Sequence, residues 1–521
     1  MATPAKISAA LFFGCFLLYL ANGDVTFVND AAPATYLPSR VLGAGSLTFT
    51  PEANPYMFYW EAGEGEKSAV VWFPSWDHRL GSRPARDWLA AGRLKVSRPE
   101  YYLGAARGAP DRYLTGYGPV AGLCGVPLAA VARPFTRDTS STLWTLGKIS
   151  ASALAAGSAL FLYWTALARL SRPKALWLAA AYAAGTCVWS VLSQALWQQT
   201  PVVFFLSLGA WLFLKEPRRP WTFALCGAAL GAAFVGRSTS ALVVAAAGAY
   251  LLWTDRKAAF SFALGAAAPI LLSAVYYLTL WGSAFGGQSH ALGAAPLALA
   301  KTGSPDVWQT PLWLGAAGIL LSPSRGLLVF SPFLAFAAWG FVRSVRRPEW
   351  RPFLPFGIAA GGMLLVSFKW FDWWGGWSFG YRLVVDVVPL LALLLIPVAD
   401  TLLSCRAGRA AAGALAGWSV LAQILGAFAY EPHGWNARSA GFVVKVPGEA
   451  VERRVATREE ASALVADRRA AREVTLDVDQ REHRWRLWSV ADSQLVYLLT
   501  RFSESRAEKR RTSRLTFSTL P

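Results

Sequence analysis

The residues of this chain best suited to chemistry are acids and arginines that lie beside apolar segments. Seven share this position: Asp24, Asp30, Arg237, Arg325, Asp372, Arg382 and Asp386. A charge close to lipid is costly unless it faces a partner or a polar cavity. If each apolar run of the chain crosses the membrane once, all seven residues fall on the same side of the membrane. The pattern therefore predicts a polar cavity that opens to the extracytoplasmic face.

Two acids follow the first apolar segment closely. Asp30 lies just outside the bilayer in this arrangement and could accept a proton from a bound nucleophile. Asp24 is the alternative base, because it lies even nearer to the end of the segment. Capping of the helix that follows is the simpler interpretation of either acid on composition alone.

A segment rich in tryptophan and glycine, residues 369–382, runs directly into Asp386. Glycines among tryptophans favour a tight turn whose backbone can approach a ligand, and a ring such as Trp374 could anchor at the interface or stack on a sugar. Arg382 could hold a phosphate with its two-pronged guanidinium. Arg382 and Asp386 are four residues apart, so a helix would let them pair. The alternative is an aromatic belt with one ion pair.

Two further segments carry arginines at the ends of apolar runs. In residues 321–332, Ser324 and Arg325 could form an anion site with nearby N–H groups. A helix-start signal explains the Ser-Pro sequence there equally well. Arg237 lies between two short apolar runs, where an arginine needs an acid or a bound anion.

Two weaker candidates are polar segments without charge pairs. Gln198, with its neighbours in residues 193–201, could donate hydrogen bonds to hydroxyl groups. Tyr117, in residues 111–119, could line the same cavity. Turn formation alone also explains both segments.

Composition identifies the elements that must position these residues. The chain has 521 residues, of which 55% are hydrophobic and 16% charged, with 25 Trp and a mean hydropathy of +0.35. Soluble domains carry about 25% charged residues, so the composition predicts a polytopic membrane protein. Much of the net charge of +19 lies in short loops that set topology, which argues against a nucleic-acid partner. The five cysteines and four histidines lack metal-ligand spacing, and we expect no metal and no cofactor.

The predicted fold is all-α, with about eleven transmembrane helices. The apolar runs fall near residues 7–22, 142–168, 175–193, 201–214, 221–235, 239–254, 258–281, 326–342, 353–368, 383–403 and 410–429. Lys and Arg fill five loops that fall on one side of this arrangement, which predicts that side to be cytoplasmic. The first run resembles a signal peptide but lacks a cleavage site, so we interpret it as an uncleaved helix with a cytoplasmic N-terminus.

The same arrangement predicts two regions. Residues 1–429 form the membrane region, including a long extracytoplasmic loop at 23–141 with interfacial helices near 69–76 and 120–135. Residues 430–521 form a small α+β extracytoplasmic tail, with a helix at 459–472 and strands at 473–478 and 486–489.

Taken together, these segments resemble the GT-C superfamily of polyprenyl-phosphate-dependent membrane glycosyltransferases, especially bacterial family-39-like members. The resemblance covers roughly residues 7–430 and rests on the order of five features: Asp30, the turn at 113–119, residues 193–201, residues 322–332, and residues 374–382 followed by Asp386 and Pro389. Two features depart from the family pattern. Asn29 precedes Asp30 where many relatives have a second acid, and the His-containing Pro-rich motif of the aminoarabinose and protein O-mannose branches does not occur around 113–119.

The resemblance implies an enzyme of the cytoplasmic (inner) membrane and the cell envelope. Such enzymes take a sugar from a lipid phosphate and pass it to a lipid, glycan or protein acceptor outside the membrane. By this resemblance Asp30 would be the general base, and Arg237, Arg325 and Arg382 would bind phosphate in an inverting transfer. Neither the sugar nor the acceptor follows from the sequence. The competing hypotheses are a transporter or flippase for a lipid-linked or anionic substrate, and a non-catalytic membrane scaffold.

Overall fold

The computed structural model describes residues 4–63, 69–73, 79–100, 102–217, 219–284, 294–444, 453–456, 460, 463–464 and 471–513. Most of this chain is helical. Its α-helices, in chain order, are α1 Pro4–Leu20, α2 Ala32–Ala44, α3 Ala85–Ala90, α4 Val120–Ala132, α5 Ser140–Leu167, α6 Arg172–Gly185, α7 Gln199–Leu214, α8 Pro220–Gly236, α9 Ala241–Thr254, α10 Arg256–Leu280, α11 Ala294–Thr302, α12 Leu312–Leu321, α13 Leu327–Phe330, α14 Phe336–Arg346, α15 Leu354–Lys369, α16 Val388–Leu394, α17 Ile396–Ser404, α18 Arg406–Ala429, α19 Gln494–Thr500 and α20 Phe502–Ser513.

Several of these helices are apolar enough to span a membrane. Among the described residues, four are also long enough: Ser140–Leu167, Arg256–Leu280, Pro348–Lys369 and Arg406–Ala429. A fifth span results if Arg382–Leu394 and Ile396–Ser404, which meet at a bend of 58°, cross together. The described chain therefore has fewer spans of full length than the eleven or so transmembrane helices predicted. Most of the other apolar runs form shorter helices of 10–17 residues.

Two predicted spans are broken, and the breaks have local causes. The run at 175–193 stops at Gly185 and continues as a π-helical turn, Val188–Leu192. The run at 326–342 is interrupted at Ser331 and Pro332, because proline lacks an N–H and forces the residue before it out of the helical region. The Ser331 hydroxyl donates to the Gly185 carbonyl at 2.7 Å, which joins the two breaks. Hydropathy registers apolar side chains but not such interruptions.

The segment between α1 and α5 contains antiparallel sheets as well as helices. Strands β1 Phe58–Ala62, β2 Ala69–Trp72 and β5 Leu94–Pro99 form one sheet in the order β2-β1-β5; β3 Arg79–Leu80 pairs with β4 Arg83–Pro84, and β6 Leu103–Ala106 with β7 Ala109–Thr115. The predicted helix at 120–135 is confirmed by α4 and a 3₁₀ turn.

The helix predicted at 69–76 is wrong over residues 69–72, and residues 74–76 lie outside the described chain. Valines at 70 and 71 favour a strand, and β1 pairs with both of them, with Trp60 facing Val71 and Glu61 facing Val70.

The tail is a small α+β unit beginning after α18. Strands β8 Ala437–Val444, β9 Arg453–Val455 and β10 Ala471–Asp477 form an antiparallel sheet in the order β10-β8-β9, which confirms the strand predicted at 473–478. The strand predicted at 486–489 is wrong, because residues 481–487 form a 3₁₀ helix. That turn buries Arg486, whose guanidinium donates to the Leu476 and Trp435 carbonyls. Most of the helix predicted at 459–472 lies outside the described residues, and 471–472 belong to β10.

Helices α8 and α10 pack at backbone contact through glycines. A Cβ atom placed at Gly265 would lie 1.8 Å from the Ala224 carbonyl oxygen, and one at Gly227 would lie 2.0 Å from the Phe262 carbonyl oxygen. Small residues allow such close approach between helices in a membrane, where packing drives association.

We therefore expect Gly265→Ala to destabilise the protein by about 1–3 kcal/mol, the usual cost of overpacking a tight contact. Gly417→Ala is the matched control, because Gly417 lies in α18 with open space at the Cβ position. Thermal unfolding in detergent measures both variants. A melting temperature of Gly265→Ala equal to that of Gly417→Ala would contradict the tight packing.

Candidate functional site

Asp30 and Arg382 form an ion pair although they lie 352 residues apart in the chain. Asp30 is part of the 3₁₀ turn Asn29–Ala31, and Arg382 begins the 3₁₀ helix Arg382–Val387. The distance from Arg382 Nη1 to Asp30 Oδ2 is 2.5 Å, and the side chains are 14% and 22% exposed. Helix α2 has no side-chain cap, so the carboxylate of Asp30 does not serve as a helix cap. The strongest candidate base and the strongest candidate phosphate ligand are therefore in contact.

Two tyrosines surround the carboxylate of Asp30. The Tyr117 phenol interacts electrostatically with it, and the Tyr102 ring meets the Tyr117 ring edge-on at 5.4 Å. Burial, with a further contribution from the Asp30 charge, raises the pKa of Tyr117 well above its usual value. The charge of Asp30 is the main cause that raises the pKa of Tyr102 to about 12. Both phenols therefore stay protonated at neutral pH and can donate hydrogen bonds toward the carboxylate.

Tyr102 also has an unusual backbone conformation. Its φ of 54° lies in the left-handed region, which a side chain with a Cβ rarely adopts. Its carbonyl accepts a hydrogen bond from the Gly116 N–H at 3.0 Å, so the strand pair β6–β7 fixes this conformation. Strained residues of this kind concentrate at functional sites, where the surrounding structure holds them.

Arg382 is held in place without using all of its donors. Its Nη2 donates to the Gly375 carbonyl at 2.9 Å, and its guanidinium carbon lies 4.5 Å from the centre of the Trp197 ring. Its buried Nε has no hydrogen-bond partner among the described residues. A guanidinium has five N–H donors, so Arg382 can bind further oxygen atoms. Trp197 was not a predicted site residue; its neighbour Gln198 was, and Gln198 is half-buried at the start of α7.

Arg237 and Asp386 form a second ion pair beside the first. Arg237 Nη1 lies 3.0 Å from Asp386 Oδ1, and Nη2 donates to the Leu383 carbonyl at 2.9 Å. The Thr239 hydroxyl donates to the other oxygen of Asp386 at 3.1 Å. Asp386 does not pair with Arg382, because residues 382–387 form a 3₁₀ helix, in which neighbours on one face are three residues apart rather than four.

Arg325 is fully buried, and its donors are directed at backbone oxygens. Nε donates to the Trp374 carbonyl at 2.8 Å, and Nη2 donates to the Gly376 carbonyl at 3.2 Å and to Asn436 Oδ1 at 2.7 Å. Nη1 donates to the carbonyl of Ser324 at 3.0 Å. Burial lowers the pKa of Arg325 to about 10, so the side chain stays charged at neutral pH. In this structure Arg325 fixes the tryptophan-rich segment rather than presenting an open anion site.

That segment, residues 370–381, has no regular secondary structure and is named here the aromatic loop. Trp374 is buried within it, and its indole N–H donates to Asp479 Oδ1 at 2.8 Å. The guanidinium of Arg484 lies over the Trp374 ring at 4.2 Å. The ring face that a sugar would stack on is therefore covered by a residue of the tail. Ser324 also contacts the tail, since its hydroxyl accepts from the Gln494 N–H at 3.2 Å.

A third cluster of charges borders the aromatic loop and was not predicted as a site. Lys301 Nζ lies 2.8 Å from Asp372 Oδ2 and 3.0 Å from Asp479 Oδ2. These three residues come from α11, the aromatic loop and the tail, so a single lysine joins three separate parts of the chain. Sequence offered only Asp372 as a candidate, because nothing in the segments around Lys301 and Asp479 indicates that their side chains meet.

Asp24 lies in a different environment from Asp30. It is 2% exposed, and four cations face it: Lys148, Arg506, Lys509 and Arg510. Burial raises the pKa of Asp24, an effect that these cations oppose. Lys148 donates to Asn22 Oδ1 at 3.0 Å and to Gln194 Oε1 at 2.5 Å, and Lys509 donates to the Ala427 carbonyl at 2.8 Å. The charge of Asp24 therefore attracts the basic side chains of α20 toward the bundle.

The predicted arginines meet along one stretch of chain. Arg325 binds the carbonyls of Trp374 and Gly376, Arg382 binds that of Gly375, and Arg237 binds that of Leu383. Arg382 and Arg237 each combine a partly exposed side chain, a carboxylate partner and, among the described residues, a nitrogen without a hydrogen-bond acceptor. Within the described chain, no group of three or more His, Cys, Asp and Glu side chains is arranged to hold a metal ion.

Searches against protein-family models and curated proteins found no match for this chain.

We expect Asp24→Asn to destabilise the protein by about 1–3 kcal/mol, because it removes the negative charge that faces the buried Lys509. Asp400→Asn is the control: it breaks the exposed Lys174–Asp400 pair, which joins the side chains at 2.7 Å, and exposed pairs contribute about 0–1 kcal/mol. Thermal unfolding and protease cleavage near α20 measure the effect. Equal stability of the two variants would refute the role assigned to Asp24.

The pH dependence of stability tests the burial of Lys509. Burial lowers its pKa from 10.5 to about 8, although the charges of Asp24 and Glu431 oppose this change. Between pH 8 and 10.5 the folded state has lost this proton while the unfolded state keeps it, so stability rises with pH in that window. We expect the wild type to gain stability relative to Lys509→Met over this window. Parallel pH profiles would contradict the assignment.

Proposed function

We propose that this protein is an integral-membrane glycosyltransferase that moves a sugar from a polyprenyl-phosphate donor to a lipid, glycan or protein acceptor at the extracytoplasmic face of the cytoplasmic membrane. The observation that carries the proposal is the contact between Asp30 and Arg382. It joins a carboxylate and a guanidinium, the two groups that a metal-free sugar transfer from a phosphate requires, at a partly exposed position of an apolar bundle.

The proposed topology has about eleven crossings, with the N-terminus in the cytoplasm and the tail outside. In this topology many of the crossings are made by short helices. A helix of 16 or 17 residues, such as α7 or α8, is about 25 Å long and can cross a bilayer core of about 30 Å with local thinning. The basic loops at 169–174, 215–219, 256–257, 343–351 and 406–409 then lie in the cytoplasm. The Asp30–Arg382 pair lies on the other side.

In the proposed reaction the donor phosphate takes the place of Asp30 on Arg382. The released carboxylate accepts the proton of the acceptor hydroxyl as its oxygen attacks the anomeric carbon. The bond from that carbon to the phosphate oxygen breaks, and the electron pair leaves with the lipid phosphate. Arg382 stabilises the charge on the leaving group, and attack from the opposite face inverts the anomeric configuration. The Tyr117 phenol stays protonated and can donate to the Asp30 carboxylate.

A small apolar crevice lies between α2, α4 and α5, where its lining includes Pro38, Ala129 and Leu146. Asp30 directly precedes α2, so the crevice and the ion pair share this helix. A polyprenyl phosphate needs such an arrangement, because its tail must remain in an apolar environment while its head group reaches charged residues.

The proposal predicts opposite effects of Asp30→Asn on binding and on transfer. Without a base the variant loses transfer by about 10²–10⁴-fold. It should nevertheless bind a polyprenyl phosphate more tightly than the wild type, because no carboxylate competes for Arg382. Transfer is measured with radiolabelled polyprenyl-phosphate sugars in membranes, and binding with purified protein and undecaprenyl phosphate.

Arg382→Gln is the comparison variant, and it should weaken both binding and transfer. Melting temperatures of both variants show whether they are folded. Undiminished transfer in folded Asp30→Asn protein would remove the base and with it the proposed reaction.

A further inference from the structure

Hydrogen bonds within the aromatic loop fix only part of its shape: Asp372 accepts from the Gly375 N–H through its carbonyl at 2.9 Å and from the Gly376 N–H through Oδ1 at 3.1 Å. Gly375, Gly376 and Gly380 have φ values of 71°, 63° and 52°, all in the left-handed region. No helix or strand bonds hold residues 370–381. Glycines in such conformations lose much conformational freedom on folding, so contacts from outside the loop must compensate.

The tail provides several of these contacts through side chains. Gln494 is fully buried: its Oε1 accepts from the Gly380 N–H at 2.9 Å, and its Nε2 donates to the Ser378 carbonyl at 3.0 Å. The amide group of this residue therefore substitutes for a strand partner at the end of the loop that leads into Arg382.

Two tail carboxylates hold the tryptophans of the loop. Asp479 accepts from the indole N–H of Trp374, and Asp477 accepts from that of Trp377, both at 2.8 Å. The second oxygen of Asp479 pairs with Lys301 at 3.0 Å. Asn436, also from the tail, accepts from Arg325 at 2.7 Å, and Arg325 in turn binds two carbonyls of the loop.

The contacts between the tail and the aromatic loop bear on the position of Arg382, the proposed phosphate ligand. Arg382 follows the loop in sequence and donates to the carbonyl of Gly375, which lies between the two carbonyls that Arg325 binds. A shift of the loop therefore shifts the guanidinium. In catalysis a misplacement of about 1 Å can cost about 10²-fold.

We propose that the tail is an integral part of the donor site, and that Gln494 and Asp479 are positioning residues that act on Arg382 through the aromatic loop. This inference rests on the proposed function, because it assigns the tail to the donor rather than to the choice of acceptor. Neither residue reaches the substrate. Their effect is to present Arg382 in the orientation that binds a phosphate.

Hydrogen–deuterium exchange of the full-length protein tests the positioning directly. We expect Gln494→Met and Asp479→Ala to speed exchange in residues 370–382 about tenfold. The same variants should raise the dissociation constant for undecaprenyl phosphate about tenfold in the folded fraction. Asp479→Asn keeps an oxygen for the Trp374 indole and should restore most of the protection. The surface variant Asp400→Ala is the matched control, since it removes an acid from a lysine pair that does not contact the loop.

Wild-type exchange rates in both variants would overturn the inference, as would faster exchange with unchanged lipid-phosphate affinity. A lower melting temperature with wild-type affinity in the folded fraction would assign the residues a purely structural role and would also overturn it. If the wild type binds no polyprenyl phosphate, the proposed function fails. In that case the exchange rates alone still decide whether the tail orders the loop.

Discussion

An arginine buried in an apolar bundle must find oxygen atoms, and in this protein the backbone of one irregular loop supplies them. The consecutive carbonyls of Trp374, Gly375 and Gly376 bind Arg325, Arg382 and again Arg325. Left-handed glycines at 375 and 376 let neighbouring carbonyls point at different guanidiniums, which a regular strand or helix cannot do. The loop needs the arginines to fix its shape, and the arginines need the loop to remain charged away from water. The site therefore exists only as a whole.

The two acids after α1 show how position decides the role of a charge. Asp24 lies under α20 among four cations and is closed off from solvent, so its charge serves packing. Asp30 lies six residues later with one guanidinium, two nearby phenols and a side chain that is 22% exposed. A carboxylate that can exchange partners needs this intermediate exposure. Full burial would make release of its partner too costly, and full exposure would let water weaken the pair.

Sequence reasoning succeeded where the signal is local. Short stretches of sequence are enough to recognise the apolar runs and the glycine spacing of the aromatic loop. They also show that Asp30 and Arg382 lie at the ends of apolar runs. It failed where partners come from afar. Sequence spacing would let Arg382 pair with Asp386 on a helix, but residues 382–387 form a 3₁₀ helix. Arg382 pairs instead with Asp30, which lies 352 residues away in the chain. Lys301, Asp479 and Gln494 carry no local signal, since each gains its role only from contact with residues far away in the chain. The strand at residues 69–72 was missed because a sheet forms between segments that are far apart in the chain.

The resting ion pair also bears on how a donor could enter the proposed site. Replacing a carboxylate by a phosphate on Arg382 exchanges one anion for another, so the guanidinium is never left buried and unpaired. In the proposed reaction the Tyr117 phenol can donate to the displaced carboxylate, because burial raises the pKa of Tyr117 well above its usual value and keeps it protonated. Because the base becomes free only when a phosphate occupies Arg382, the geometry favours donor binding before acceptor activation. An empty site would thus keep its base neutralised.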